Sequence, residues 1–352
     1  MLTSCVKEDL RNIRKADLPW DRFAGKRILV TGASGFLPGY FVETLLALKD
    51  IGCGVKEVVG LVRNLPKAKH RFCHHADRKD FSLYQHDLSG PLTYDGKFDY
   101  IIHAASQASP RFYSVDPVGT ILPNVLGTYH LLERARQDGC DGFLLVSSGA
   151  VYGIITGDAV VNENAYGYLD PTLVRSCYFE AKRMSENFCV CMHHQYGVPV
   201  YIARPAHTYG PGLAPHDGRV FSDFIEDIAA KRDIIVKSDG SAKRAFCYVS
   251  DAVVGMFTVL LRGEIARPYN VGNDEAYVSI RELAETLASA FMDRGIRAII
   301  APAKKEKNYV KNPSNGGCPD VHALRSLGWK PKVGITEGFR RTIASIDEEL
   351  AV

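Results

Sequence analysis

A short aliphatic run, Arg27-Ile28-Leu29-Val30, leads directly into Thr31-Gly32-Ala33-Ser34-Gly35-Phe36-Leu37-Pro38-Gly39, and then into apolar positions at helical spacing over Tyr40–Leu48. That order of strand, glycine turn and helix constrains the chain more than any other stretch. Gly32 permits a sharp turn and Gly35 lets backbone approach a pyrophosphate. The start of the helix offers unpaired N–H groups and a partial positive charge. A glycine-rich turn alone is a weak signal, so its meaning depends on the rest of the chain.

Glu57-Val58-Val59-Gly60-Leu61-Val62 reads as a buried second strand ending at Arg63-Asn64. An acid at this place binds the 2′-hydroxyl of an adenine ribose, whereas an arginine suits a 2′-phosphate. Arg63 therefore leaves NAD open and brings in NADP, the alternative being a solvated arginine or one stacked on adenine. Leu83–Leu88 is expected as a third strand with Asp87 at its end, and Phe98–Ala105 as a fourth whose small final residues let a cofactor lie close. Asp116–Gln137 has helical spacing through Ile121, Val125, Tyr129 and Leu132, and Gly142–Ser148 is a fifth strand ending in hydroxyls. Strands alternating with helices in this way predict an α/β fold with a doubly wound parallel sheet. Ligands of such sheets bind beyond the strand C-termini, where Thr31, Arg63, Asp87, Ala105 and Ser148 all fall.

Glycine and proline thicken afterwards, at Gly153, Gly167, Pro171, Pro205, Gly210, Pro211 and Gly212. Short elements then alternate with loops, including a helix at Arg219–Ala230 and a strand at Tyr269-Asn270-Val271. The expected division is a helical extension over 1–25, a cofactor-binding domain over 26–203 and a mainly substrate-binding part over 204–352, some of whose segments return to the sheet.

A net charge of +3 on 352 residues gives no reason to expect nucleic acid or an acidic membrane surface. No apolar run is long enough to span a bilayer, and the charged N-terminus has no signal-peptide core. The nine cysteines, odd in number and scattered, suit a reduced, cytoplasmic protein. Cys73-His74-His75 and Cys189-x-Cys191-x-His193-His194 each lack a second ligand pair at finger-like spacing, so no metal site is expected.

Tyr178 and Lys182 are four residues apart within Ser176–Tyr196, a stretch of helical periodicity, so both project from one face. A tyrosine at its ordinary pKa is a poor base at neutral pH. A nearby ammonium, helped by the charge of an oxidised nicotinamide, favours phenolate. Such a phenolate takes a proton from a sugar hydroxyl while hydride leaves the same carbon. Ser148 can hold that oxygen in line. By itself Tyr-x-x-x-Lys is ordinarily a surface tyrosine beside a solvated lysine; its place after Ser148 and behind the glycine turn gives it this chemistry.

Taken together, Thr31-Gly32-x-x-Gly35-Phe36-Leu37, His103-Ala104-Ala105, Ser147-Ser148-Gly149-Ala150-Val151-Tyr152-Gly153, Tyr178-x-x-x-Lys182, Arg204-x-x-x-x-Tyr209-Gly210-Pro211, Arg244-Ala245-Phe246-x-Tyr248-Val249-x-Asp251, Tyr269-Asn270-Val271-Gly272 and Leu327-Gly328-Trp329 occur in a specific order. In these the chain resembles the extended short-chain dehydrogenase/reductases of the nucleotide-sugar epimerase/dehydratase family, from about Lys26 to the C-terminus. Gln107-Ala108-Ser109-Pro110, Arg175-Ser176-Cys177-Tyr178, Asp217-Gly218-Arg219-Val220 and Arg244-Ala245-Phe246 are most similar to UDP-glucuronate decarboxylases.

The resemblance implies a Rossmann sheet with a smaller C-terminal α/β part, Tyr178 as base, Lys182 as its partner and ribose ligand, and Ser148 as the orienting hydroxyl. It implies a cofactor site of Gly32, Ser34, Gly35, Phe36, Leu37, Arg63, Asp87, Leu88, Ala104, Ala105, Ser106 and Asn124 together with Tyr178 and Lys182. The substrate, a nucleotide-diphosphate sugar and by this likeness a UDP-sugar, would meet Ser109, Ser148, Gly149 and His207, with Arg219 and Arg244 on its diphosphate. A surface salt bridge is the alternative for each arginine. A homodimer through the helices at Asp116–Gln137 and Ser176–Tyr196 is also implied.

Four departures from the family pattern stand out. Pro38 replaces the third glycine, with Gly39 next, and proline is tolerated in a helix's first turn. Arg63 replaces the ribose-binding acid. Gly149-Ala150 stands where decarboxylases and 4,6-dehydratases carry an acid, which argues against dehydration and slightly favours simple 4-epimerisation. A β-keto acid loses carbon dioxide without a strong acid, so decarboxylation stays open. Finally, His207 replaces an asparagine near the sugar and Gly317, ahead of Asp320, a late arginine, which bears on sugar and base recognition. A non-catalytic cofactor-binding scaffold on the same fold is the remaining alternative.

Overall fold

The computed structural model of the chain describes residues 2–155, 159–214, 217–301 and 317–351. Its first half lays down α1 (Ser4–Arg14), β1 (Arg27–Thr31), α2 (Phe36–Ala47), β2 (Glu57–Val62), α3 (Leu65–Arg71), β3 (Phe81–Gln85), β4 (Tyr100–His103), α4 (Phe112–Val115), α5 (Pro117–Asp138) and β5 (Gly142–Val146). The second half adds β6 (Val160–Val161), α6 (Cys177–Tyr196), β7 (Val200–Pro205), β8 (His207–Tyr209), α7 (Val220–Ala229), β9 (Ile234–Val236), β10 (Lys243–Tyr248), α8 (Val249–Arg262), β11 (Pro268–Val271), β12 (Tyr277–Ser279), α9 (Ile280–Ala290), β13 (Ala298–Ile300), β14 (Cys318–Pro319), α10 (His322–Ser326) and α11 (Ile335–Leu350).

Seven strands form one sheet in the order β3-β2-β1-β4-β5-β7-β11, with every neighbouring pair parallel. Both faces are covered, and strand side chains alternate between two cores. Ile28, Val30, Val58, Ile102 and Leu144 join the core beneath α2 and α8. Leu29, Val59, Ile101, Phe143 and Leu145 join the one beneath α5 and α6. The strands therefore read as unbroken apolar runs, as parallel strands buried on both faces must. The reversal of strand order between β1 and β4 opens a crevice at their C-terminal ends.

Several boundaries differ from expectation. α2 starts at Phe36, four residues before the first expected helical position, because Gly35 adopts an extended N-cap conformation (φ −80°, ψ 172°) and Pro38 sits within the first turn. β3 ends at Gln85, so Asp87 lies beyond the strand rather than at its last residue. β4 is confined to Tyr100–His103 and β5 stops at Val146. Both tails peel away from the ladder to line the crevice.

The second half builds on the sheet edge. β8, β10 and β12 make a three-stranded sheet beside the crevice, while β11 returns to the main sheet next to β7. In the N-terminal segment, Ser4–Arg14 forms the amphipathic helix α1, which packs on α2, α8 and α11. Its buried Asp9 accepts hydrogen bonds from the Tyr248 hydroxyl at 2.8 Å and the Tyr40 hydroxyl at 3.3 Å, and Arg341 Nη2 lies 3.2 Å from its other oxygen. The Thr3 and Ser345 hydroxyls meet at 2.8 Å, and Ser4 N–H donates to Glu348 at 2.9 Å. Among the described residues no helix is long and apolar enough to cross a membrane, and the nine cysteines carry free thiols.

Candidate active site

A cleft of about 860 Å³ runs along the C-terminal ends of β1, β2, β4 and β5 and under the second half of the chain. Its floor is the glycine turn. Gly32 has φ +68°, and a Cβ there would lie 2.8 Å from the Ala105 Cα, so only glycine lets the β1 turn pass the end of β4. Gly35 N–H donates to Gly32 O at 2.7 Å, which tightens the turn and directs the first turn of α2 toward the cleft. The Thr31 hydroxyl ties both strand ends together. It accepts from the Ala104 and Ala105 N–H groups at 3.1 Å each and lies 2.9 Å from His103 Nδ1. With two N–H groups already donating to it, this hydroxyl donates its own hydrogen to Nδ1. His103 is therefore the Nε2–H tautomer, donating to the Thr128 hydroxyl at 3.1 Å. Burial, reinforced by the charge of Lys182, pushes His103 down to about 3, so it is a neutral brace.

Gly32, Ser34, Gly35, Phe36, Leu37, Arg63, Asp87, Leu88, Ala104, Ala105, Ser106, Ser109, Ser148, Gly149, Tyr178, Lys182, His207, Arg219 and Arg244 all line this one cleft. Asn124 does not line it. It lies behind the wall, fully buried, and donates to the Ser106 hydroxyl at 3.1 Å and Thr120 O at 2.7 Å, so it positions Ser106. Arg63 is exposed at the outer end of the cleft, and Lys67, one helical turn on, lines the same end. Asp87 accepts from Ser89 N–H at 2.9 Å, and the Ser89 backbone and hydroxyl hold its carboxyl below the usual range.

At the inner end, Tyr178 and Lys182 project from α6 beneath Ser148. The Ser148 hydroxyl and the Tyr178 phenol share a hydrogen bond, and Ser148 also accepts from Ala150 N–H at 3.1 Å. Tyr113 stacks on Tyr178, ring centroids 5.1 Å apart and planes 12° from parallel, with its own hydroxyl anchored to Ala108 O at 2.9 Å. Lys182 Nζ donates to Val146 O at 2.8 Å and lies 5.8 Å from the Tyr178 ring centroid. Burial lowers Lys182 to about 8 despite the opposing charge of Glu186.

The expected lowering of the Tyr178 phenol by Lys182 is not produced by the protein alone. Burial pushes it up, and the Ser148 hydrogen bond and the charge of Arg219 oppose that without overcoming it.

Glu186, one turn beyond Lys182, accepts from Ser147 and from Arg204, whose Nη2 is 2.6 Å away, and Arg204 also reaches the Tyr152 hydroxyl at 3.1 Å. This buried ion pair fixes the backbone that carries Ser148. Sequence spacing gave no sign of the Tyr113 stack or of the Glu186–Arg204 pair, whose members lie on separate elements.

At the opposite wall, Arg219 pairs with Asp217 and Ser109 donates to Asp217 O. His207, between β7 and α7, is held neutral by burial and by the charges of Arg244 and Arg219, which push it down to about 3. Asp87 and Asp217 are the only carboxylates among the described lining residues, against the cations Arg63, Lys67, Arg175, Lys182, Arg204, Arg219 and Arg244. A cleft so weighted toward positive charge suits phosphate-bearing ligands. The glycine turn with its close backbone approach, and the inward-facing helix N-terminus after it, fit a dinucleotide.

Residues 28–272 match the model of the NAD dependent epimerase/dehydratase family. The chain is 35% identical over 319 residues to UDP-glucuronic acid decarboxylase 6 of Arabidopsis thaliana, covering 89% of this chain and 86% of that one. It is 33% identical over 329 residues to UDP-glucuronic acid decarboxylase 1 of Danio rerio, covering 92% and 73%. Among solved structures, UDP-glucuronic acid 4-epimerase from Bacillus cereus, in complex with UDP-glucuronic acid and NAD, superposes with a TM-score of 0.76 at 21% identity, over 92% of this chain and 99% of that one. The dTDP-glucose 4,6-dehydratase DesIV from Streptomyces venezuelae, with NAD bound, gives 0.75 at 23% identity, over 92% and 98%. On the strength of these matches and of the cleft that Gly32, Ser148, Tyr178 and Lys182 share, the chain belongs to the NAD-dependent epimerase/dehydratase family and is an enzyme of that NAD-using type.

Proposed function

We propose that this enzyme oxidises carbon 4 of a nucleotide-diphosphate sugar, a UDP-sugar by the likeness of its relatives, and that it returns the sugar as the 4-epimer. The glycine turn from Gly32 to Gly35 would hold NAD, which would supply the hydride acceptor. Tyr178 takes the proton of the carbon-4 hydroxyl, and Ser148 holds that oxygen against the phenol. Lys182, anchored on Val146 O, supplies a positive charge beside the phenol ring, which together with an oxidised nicotinamide offsets the effect of burial. Arg219 and Arg244 would hold the diphosphate at the opposite wall, and His207, neutral, offers a hydrogen bond near the sugar.

The observation that carries the epimerase outcome is the absence of any carboxylate beside Ser148 and Tyr178 among the described residues lining the cleft. Expelling hydroxide calls for a proton donor, whereas turning the oxidised sugar to present its other face calls only for room. The second reading, decarboxylation of a UDP-glucuronate, rests on relatives 35% identical over 89% of the chain, and β-keto acid chemistry does not require the missing acid.

The deciding experiment incubates the purified protein and added NAD with UDP-glucuronate and other sugar nucleotides, reading products by mass spectrometry and NMR. Unchanged mass with an inverted carbon-4 proton coupling supports the epimerase. Loss of carbon dioxide overturns that outcome in favour of the decarboxylase. Tight cofactor binding without turnover across the panel would replace both with a non-catalytic scaffold.

At the adenosine end, Arg63 and Lys67 give the cofactor site room for a 2′-phosphate as well as a 2′-hydroxyl. We also propose a homodimer, with α5 and α6 as its face.

A further inference from the structure

Outside the cleft, on the far side of α2, three side chains converge that the reaction does not use. Glu43, 7% exposed, projects from the middle of α2 toward the turn Cys73–His75 just after α3. Its two carboxylate oxygens each meet a different imidazole, His74 Nε2 at 2.9 Å and His75 Nε2 at 2.8 Å. The two rings stand side by side, centroids 4.1 Å apart. Phe72 and Phe81 pack against His75 and fix its orientation. The three donor atoms all lie within 4.8 Å of one another, the one such group of three or more among the described residues.

We propose that Glu43, His74 and His75 form a binding site for a zinc-like divalent cation, separate from the nucleotide cleft. Two imidazoles and one carboxylate are a donor set that zinc takes with three protein ligands and water in the fourth position. Zinc at about 2.0–2.1 Å from each donor holds them about 3.3 Å apart in tetrahedral geometry, a spacing that donor atoms already within 4.8 Å of one another reach by side-chain shifts alone. Each imidazole must present Nε2 without its proton. That hydrogen shifts to Nδ1 or is released, so metal uptake competes with protons. Arg71, half-buried, lies in the field of Glu43, and Glu349 in turn lies in the field of Arg71 and partly offsets it. The ligand absent from the Cys73-His74-His75 motif is thus supplied from thirty-one residues upstream of His74. A bound cation would strap the β2–β3 crossover to the helix whose first turn faces the dinucleotide.

The test uses the full chain, stripped with a chelator and titrated with zinc chloride by calorimetry near neutral pH, with metal content read after gel filtration. One equivalent of zinc per chain and a rise in Tm are expected. His75→Gln keeps a hydrogen-bond donor for Glu43 but removes a metal ligand, so it should fold with a wild-type Tm in chelator yet bind zinc at least tenfold more weakly. Glu43→Gln should do the same, while Cys73→Ser should bind as wild type. A cobalt-substituted sample should show no thiolate-to-metal charge-transfer band. Failure to bind, binding unchanged in folded His75→Gln, or binding lost in Cys73→Ser would each overturn the assignment.

Discussion

Tyr178 is the base of the proposed reaction, and its surroundings say what its loss would do. The ring is clamped by Tyr113 and its hydroxyl is shared with Ser148, so Tyr178→Phe removes the proton acceptor while leaving the ring stack intact. Turnover should fall by about 10²–10⁴-fold, with NAD affinity in a calorimetric titration close to wild type; an active Tyr178→Phe protein would refute the role of base. Arg63 carries a different prediction. Replacing it with alanine removes one of the two cations at the outer end of the cleft, so NADP binding should weaken by about tenfold, the loss of one charge-assisted contact of roughly 1.5 kcal/mol, and NAD binding much less. Equal effects on the two cofactors would make Arg63 a solvated arginine after all. That Tyr178, Lys182 and Ser148 meet in one cleft was legible because Tyr178 and Lys182 share a helix face and Ser148 follows the fifth strand. Tyr113 was not, because a stack between residues on separate elements leaves no periodic trace. Glu43 was hidden for the same reason, since a metal-ligand motif is recognised by near spacing and its third member comes from another helix.

At the scale of elements, the strand–turn–helix order predicted the parallel sheet, and parallel strands buried on both faces made β1, β2 and β5 stand out as apolar runs. The boundaries were less legible. The start of α2 depends on Gly35 as N-cap, and the ends of β4 and β5 on where the ladder parts to form the crevice, which is a property of neighbours and not of the residues themselves. α1 offers a measurable consequence of element packing. Burial drives the Asp9 carboxyl up to about 6 from an unperturbed 3.8, against the hydrogen bonds of Tyr248 and Tyr40 and the charge of Arg341. Between those values the folded chain holds a proton that the unfolded chain has lost. This contribution to stability is therefore fully present below about pH 3.8 and is lost as pH rises through about 6, at most about 3 kcal/mol. In urea unfolding measured from pH 4 to 7, Asp9→Asn should flatten that decline. A pH dependence identical to wild type would show that Asp9 does not titrate in this window.

For the whole molecule, the sequence led us to expect a second part grown from the sheet edge but could not show the small sheet beside the cleft, because β8 and β12, three residues each, are too short for a pattern. Assembly is the other question at this scale. α5 exposes Val118, Ile121, Leu126 and Tyr129, and the adjacent α6 exposes Met184, Val190 and Tyr196. Exposed apolar side chains grouped on two packed helices are suited to burial against a two-fold copy. Sedimentation should find a dimer at micromolar concentration that Tyr129→Asp with Val190→Asp converts to monomer; a monomeric wild type would remove the interface. The clasp between α1 and α11 has a further consequence, in time rather than space. The Thr3–Ser345 contact joins residues 342 apart in sequence, so on a ribosome it cannot close until all the residues between them have been made. α1 is thereby tied to α11 only after the sheet that lies between them in sequence has had time to form.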